Sequence, residues 1–502
     1  MASNAPPYSR LMASVPYDGW CSKGGAWAAS SFLPVGGLIT ALVSGHIEDT
    51  LTWQYILVCA GCFLVSFFVL ALLAKYCGEY DFQIWALQHP RNPISRFWLT
   101  LLTAFQSLES CNNEWMHIRR LKYGENFVCA GQVLLGGFNE VERALTAPQA
   151  RTYCLGQTPF IKKRCPGDDI GQRTTFLLAM SDEAAGGSGD REKFKGCMGR
   201  YFFGSSDMVA RRQDEVGRRM INQLKKDYSE RLADFFKFQG PLEMFVITYL
   251  TYVLFGIDLK GDDLKVMTDW LLGNGGTAHY MYPSGYLMNN TKLIDKVAAI
   301  YERAPALQMF EEGIAAHAKM TKQELARMMT AVIRIAGKTG TLQLLETVLG
   351  GRSMPKYKGE PTGQIDVTRA WDGLDLDNRD ELKRFTIEVA RLYPPVNAVH
   401  RVAQEDFTCD FNGRSVSFPA GTLVMVPVVF GNLDRDFWGP TVYELDHNRP
   451  KLSEHFLGFN SVGDRNAGRI CPGRELTLDI CADLLSELGR VRRLGCAAST
   501  VV

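Results

Sequence analysis

Apolar residues recur three and four positions apart over residues 207–235, 241–255, 295–316, 321–349 and 379–392, which predicts a helix over each stretch. Residues 109–120 read as another helix, ending near Tyr123-Gly124, and Asn139 reads as the cap of a helix that runs through Leu145. Leu476, Ile480, Leu484 and Leu488 mark one buried side of a last helix that opens just after Cys471. Strand patterns are few: residues 127–135 look like a short hairpin, and residues 407–429 alternate apolar and polar around the turn pair Asn412-Gly413. Gly186-Gly187 and residues 351–365 read as surface loops. The fold class predicted is mainly α with small β-sheets.

The period disappears over residues 53–74, which are uncharged and apolar for 22 positions, enough for a helix to cross a bilayer. A weaker run over residues 26–45 is broken by Pro34, Gly36 and Gly37 and reads either as a second span or as an interfacial hairpin. The organisation expected is a tail over residues 1–25, a membrane anchor over 26–76, a Pro-containing linker over 77–95 and one large domain over 96–502. Lys75, Arg91 and Arg96 follow the strong span, against Arg10 and Lys23 before it, so the large domain is expected on the cytosolic face of the endoplasmic reticulum or another intracellular membrane.

Charge and cysteine usage narrow the partners. With 55 Lys+Arg against 54 Asp+Glu, the chain has no global field to hold nucleic acid, and none is expected as a partner. Thirteen cysteines at irregular spacings do not form the dense even framework of a disulfide scaffold, which fits a reducing compartment. Gly337-Lys338-Thr339 invites a phosphate-loop reading, but Val332 stands where the first glycine of that motif belongs and no strand pattern precedes it.

The chemistry concentrates around Cys471, which follows a glycine-rich loop and sits at the mouth of a helix. Unpaired N–H groups and the positive dipole end of a first helical turn stabilise an anionic sulfur. Gly463, Gly468 and Gly473 let backbone pass close to a flat ligand, and Pro472 suits a first turn because its missing N–H would be unpaired there anyway.

In this context the sequence resembles the cytochrome P450 superfamily over most of the stretch from Tyr123 to Leu488. Glu388 and Arg391, in RFTIEVARLYPPV, are similar to the family's ExxR motif. Pro419 to Gly421, Asn432 to Trp438, Glu444 to Arg449-Pro450 and the cysteine loop then follow in the family's order. The resemblance implies a cytochrome P450 fold, with residues 96–502 as a heme domain, and heme b with an axial thiolate from Cys471. It also implies a charged triad of Glu388, Arg391 and Arg449 bracing the cofactor's proximal side. Phe459, Gly463 and Gly473 fall at heme-loop positions, and Arg469 at the position of a propionate contact. Arg191 and Lys195 lie where another propionate contact arises, although the family's tryptophan is missing there.

Two departures set this chain apart. Phe459 precedes Cys471 by twelve positions, about five more than the family's usual spacing, and such long loops resemble those of fatty-acid peroxygenases and hydroperoxide-metabolising members. The distal helix reads Ala336-Gly337-Lys338-Thr339-Gly340-Thr341, with Thr339 in the place of the family's acid and Gly340 in that of its alcohol. Gly337 keeps the helix face small, and Thr341 brings a hydroxyl one position late. The substrate expected is a lipophilic small molecule, foremost a fatty acid or fatty-acid hydroperoxide. The alternatives are a monooxygenase of a sterol, terpenoid or fatty acid served by a cytochrome P450 reductase, and a non-catalytic membrane heme sensor.

Overall fold

The computed structural model describes residues 80–95, 99, 120, 123–129, 131–146, 150–152, 207–272, 291–304, 326, 337, 340–352, 366–460, 470, 471 and 473–499. The span expected over residues 53–74 lies outside these. Among the described residues, no helix is long and apolar enough to cross a membrane. Contacts divide the chain into two units, one of residues 1–134 with 406–422 and one of residues 135–405 with 423–502.

Among the described residues, the smaller unit holds two hairpins. Strands Phe127–Cys129 and Gln132–Leu134 pair antiparallel across a turn in which Gly131 has φ 74°. Strands Phe407–Phe411 and Arg414–Phe418 pair across Asn412 and Gly413, both at positive φ (55° and 83°), the combination a two-residue hairpin of right-handed twist demands. Cys409, Phe411, Val416 and Phe418 point inward and the residues between them outward, so the expected alternation is present. Asn412 Nδ2 donates to the Tyr123 carbonyl at 2.6 Å, and Gln88 Nε2, at the end of helix Tyr80–Gln88, donates to the Ser417 carbonyl at 3.1 Å.

The larger unit is mainly helical. Helix Pro241–Phe255 is apolar on nearly every side and correspondingly buried. Pro241 starts it, where a missing N–H costs nothing, and Gly256 ends it in the left-handed region at φ 72°. Arg212 Nη1 donates to the terminal carbonyls of Val253 and Leu254 at 3.2 and 3.3 Å. Helix Arg379–Leu392 starts at Asn378, whose Oδ1 accepts the Glu381 N–H at 3.1 Å, a cap worth about 1 kcal/mol. It packs against helix Arg474–Ser499, on which Leu476, Ile480, Leu484 and Leu488 are all buried as their spacing predicts. Trp371 fills the core behind this pair and donates Nε1–H to the Leu485 carbonyl at 3.1 Å.

Three expectations change in detail. The helix attributed to an Asn139 cap runs over Phe138–Thr146, and its Phe138 N–H goes to Asp434 Oδ2 at 2.7 Å, nearly three hundred residues away; a tertiary partner has displaced the local one. The strand pattern over residues 407–429 is split: after Gly421, at φ 88°, Leu423–Val426 pairs with Val399–Ala403, which in turn pairs with Ala150–Thr152. Helices Gly261–Leu272 and Val367–Asp372 carried no periodic signal strong enough to predict; the second is one and a half turns long, held at its start by Asp366 Oδ1 accepting the Arg369 N–H at 3.0 Å.

Candidate functional site

The site grows from the two ends of the cysteine loop. Cys471 donates its N–H to the Phe459 carbonyl at 2.8 Å, so residues twelve apart in sequence meet at a neck. Phe459 stands in the left-handed region (φ 55°, ψ 14°), a conformation that a bulky residue adopts only where its surroundings impose it. Its ring packs on the core and meets Phe456 at 6.1 Å between centroids. On the other side of the neck, the Cys471 carbonyl accepts the Arg474 N–H at 3.2 Å and the Gly473 carbonyl accepts the Thr477 N–H at 2.9 Å, which opens the 26-residue helix Arg474–Ser499. The cysteine therefore lies at the dipole's positive end.

Its exposure also differs from that of its counterparts. Among the four described cysteines, Cys129, Cys409 and Cys481 are buried and Cys471 is half-buried. Burial pushes the Cys481 thiol far up, with Asp483 adding to the shift, so that sulfur stays protonated and inert.

Behind the neck lies a charged core. Glu388 and Arg391 are fully buried on helix Arg379–Leu392 and face each other as a two-pronged pair, Arg391 Nε to Glu388 Oε2 at 2.7 Å and Nη2 to Oε1 at 2.8 Å. Arg391 also donates to two backbone carbonyls, those of Asn432 (2.7 Å) and Val442 (2.8 Å), and its guanidinium lies 5.4 Å from the centre of the Trp438 ring. Glu388 Oε1 also accepts the Asp446 N–H at 3.1 Å and Arg449 Nε at 3.3 Å. Arg449 then reaches the carbonyls of Thr441 (2.7 Å), Glu444 (3.0 Å) and Trp438 (3.3 Å) and the Thr441 hydroxyl (3.2 Å). One carboxylate and two guanidiniums thus hold segment 432–449 to the helix, and their polar groups are met where an unpaired buried charge would cost several kcal/mol. Burial pushes the neighbouring Tyr393 phenol up, with the Arg391 charge opposing it.

The distal segment is described at Gly337 and from residue 340 onward. Gly337 is buried in a wide, π-type turn, and residues 340–342 take the same type of turn before helix Gln343–Val348. Such turns recur at functional sites because they displace a side chain from the helical register. Thr341 is buried, and its hydroxyl meets that of Thr477 at 3.4 Å, on the first turn of the helix that follows Cys471.

The structure therefore brings together Cys471, Phe459 and Gly473 at the neck, Glu388, Arg391 and Arg449 behind it, and Thr341 against the proximal helix. Thr339, Arg469, Gly463, Arg191 and Lys195 lie outside the described residues. Gly431, Thr441 and Thr477 are not among the residues singled out from the sequence, and Asn432 enters only as the first residue of a motif. Asn432 carried a signal of sorts, a polar residue beside a run of apolar ones, but only the fold shows what it touches.

The comparisons with known proteins fit this geometry. No protein-family model matches the chain. Cytochrome P450 3A15 of Cavia porcellus is 34% identical over 137 residues, 27% of this chain and 23% of that protein. Cytochrome P450 CYP72A613 of Trigonella foenum-graecum is 31% identical over 114 residues, 22% of this chain and 21% of that protein. The chain thus matches about a quarter of the length of these curated relatives. Among solved structures, P450 RauA superposes with a TM-score of 0.54 at 15% identity, covering 76% of this chain and 91% of that one. CYP109B1 from Bacillus subtilis gives 0.51 at 13% identity, over 74% and 90%. The fold is that of the cytochromes P450, mostly helical with small sheets.

Proposed function

We propose that the chain is a heme-thiolate oxidoreductase of the cytochrome P450 type acting on a lipophilic small molecule. One observation carries the reading: a half-buried cysteine held at a helix N-terminus by its own N–H bond to Phe459, with a buried Glu388–Arg391–Arg449 core joined through Asn432 to the segment leading into that neck. These residues fit the cofactor, because a lone thiolate is the one protein ligand that heme, supplying four nitrogens itself, needs to gain electron density at iron. Heme b bound there would supply redox chemistry at a thiolate-ligated iron. Cys471 would be its ligand, and Phe459, Gly463 and Gly473 would line the loop beneath it. Arg469, with Arg191 and Lys195, would meet its propionates.

The chain's own residues then decide which oxidant suits it. No acid stands at the family's relay position, where Thr339 does, and among the described residues the Thr341 hydroxyl is turned to Thr477 within the protein. A relay position without an acid favours a substrate or co-substrate already carrying an O–O bond, and on that ground we assign fatty acids or fatty-acid hydroperoxides as the substrate class. Residues 53–74 would anchor the domain of residues 96–502 to an intracellular membrane, where such lipids dissolve. A second reading has support from P450 TxtC, a fold neighbour at TM-score 0.52 and 14% identity described as performing sequential aliphatic and aromatic hydroxylation. On that reading a reductase supplies electrons and the product is a hydroxylated sterol, terpenoid or fatty acid.

The test is spectroscopic first. Full-length protein, reduced under carbon monoxide, is expected to show the red-shifted Soret band of thiolate ligation, and Cys471→Ser to lose that band while keeping the helical circular dichroism of the parent. Retention of the band in Cys471→Ser refutes the assignment. Product formation from a lipid panel with lipid hydroperoxide, with hydrogen peroxide, and with NADPH plus reductase then separates the two readings; well-coupled turnover with reductase alone selects the second.

A further inference from the structure

Asn432 is the residue at which the charged core and the cysteine loop are joined. Its backbone carbonyl accepts Arg391 Nη1 at 2.7 Å, and its side-chain Oδ1 accepts the Leu457 N–H at 3.1 Å, two residues before the neck residue Phe459. Both groups are fully buried. Gly431, just before it, completes the grip: a Cβ there would come within 2.4 Å of Leu457 Cδ1, so only glycine lets the Leu457 side chain lie against this backbone. The Gly431 carbonyl accepts Trp438 Nε1–H at 3.0 Å, which ties the same residue pair to the ring facing Arg391.

Asn432 Nδ2 is buried with no hydrogen-bond partner among the described residues, an arrangement that costs free energy and that an apolar side chain of equal volume would avoid. The Oδ1 arm is the part of the amide that is bonded. Its only described bond is to Leu457, at the base of the loop that presents Cys471.

Resting on the heme-thiolate reading above, we propose that Asn432 is a positioning residue for the Cys471 thiolate. It fixes the backbone of residues 457–459, so that Phe459 keeps its left-handed turn and its carbonyl stays in place for the Cys471 N–H. With the Leu457 bond lost, the neck can slip. With heme bound, Cys471 would then be free to give up its ligand role and be protonated by water, the hydroxide passing to solvent, with no change in oxidation state.

Asn432→Leu and Asn432→Asp in the full chain separate this role from general folding. Both keep the backbone carbonyl for Arg391, but only Asp keeps an acceptor for Leu457. The readout is the rate at which the thiolate-type Soret band of the reduced carbon monoxide complex gives way to the shorter-wavelength band of neutral-thiol or lost ligation, with heme per chain measured alongside. Asn432→Leu is expected to bind heme normally and to lose the thiolate band about tenfold faster than the parent, with Asn432→Asp within a factor of about three. Equal persistence in Asn432→Leu and the parent overturns the proposal, as does equal acceleration in both variants. If Asn432→Leu yields no heme-loaded protein, Asn432→Ser, which leaves room for water in the acceptor's place, is read in its stead. Heme loss in Leu and Ser with a persistent band in Asp supports the role, and heme loss in all three overturns it. A parent protein with no thiolate band at all defeats the heme-thiolate reading itself and is recognised before any variant is compared.

Discussion

The two ends of helix Arg379–Leu392 carry the same kind of interaction in opposite surroundings. At its start, Arg379 and Lys383 reach across to helix Arg474–Ser499, where Asp479 lies 2.8 Å from Arg379 and 2.7 Å from Lys383, and Asp483 also pairs with Arg379. Arg379 is 49% exposed and Asp479 29%. At its end, Glu388 and Arg391 are both 0% exposed. In water the first cluster has solvent as a ready substitute for each partner, so each of its bonds contributes little. The buried pair has no substitute, and losing one member leaves the other stranded. Ion pairs on a single helix thus divide into a surface clasp and a structural keystone by burial alone.

The most severe way to break this contrast is to strand a charge at the buried end. Arg391→Ala or Glu388→Ala should cost about 3–5 kcal/mol and yield protein that binds little heme, measured by urea unfolding and by heme per chain. Near-normal stability in either variant would mean that water reaches the triad and that the two ends of the helix are alike. Next comes Gly431→Ala, which alters no charge but forces a methyl group against Leu457 Cδ1. Overpacking of this kind should lower stability by about 1–3 kcal/mol, seen as a shifted urea midpoint with an unchanged slope.

A milder probe is Thr341→Val, which keeps the shape and removes one hydroxyl of the buried Thr341–Thr477 pair. Loss of about 1 kcal/mol is expected, with turnover by lipid hydroperoxide retained. Collapse of that turnover at unchanged stability would move Thr341 from packing into the chemistry.

The smallest effect belongs to the exposed end, and it has a pH signature. Burial opposes ionisation of Asp479, yet its hydrogen bonds from Lys383 and Arg379 prevail and hold the carboxyl below its ordinary range. A depressed carboxylate adds stability that is present above its unfolded pKa and fades as pH falls through the folded value. Asp479→Asn should therefore lower stability by roughly 0.5–1 kcal/mol at neutral pH and by nothing in strong acid, a difference read from thermal melts across pH 2 to 7 on the order of a few degrees at most. Asp483, raised by burial despite its bond from Arg379, works in the opposite sense, so its own replacement should not show this fading.

Much of this was legible in the chain itself. The period of apolar residues located helix Arg379–Leu392 and the buried side of the helix after Cys471, because burial of one side is written directly into residue spacing. The cysteine before a helix and the order of the polar motifs are likewise statements about residue type, which a sequence carries in full. What it does not carry is which polar group is dry. Glu388–Arg391 and Arg490–Glu487 are both i,i+3 pairs, the first wholly buried and the second 44% and 31% exposed, and nothing local distinguishes them. Nor could spacing show that Asp434 would cap the helix at Phe138, or that Asn432 would take the Leu457 N–H twenty-five residues further on. Those pairings exist because packing removes water from the groups and leaves each of them one partner in reach, and only the tertiary structure decides which partner that is.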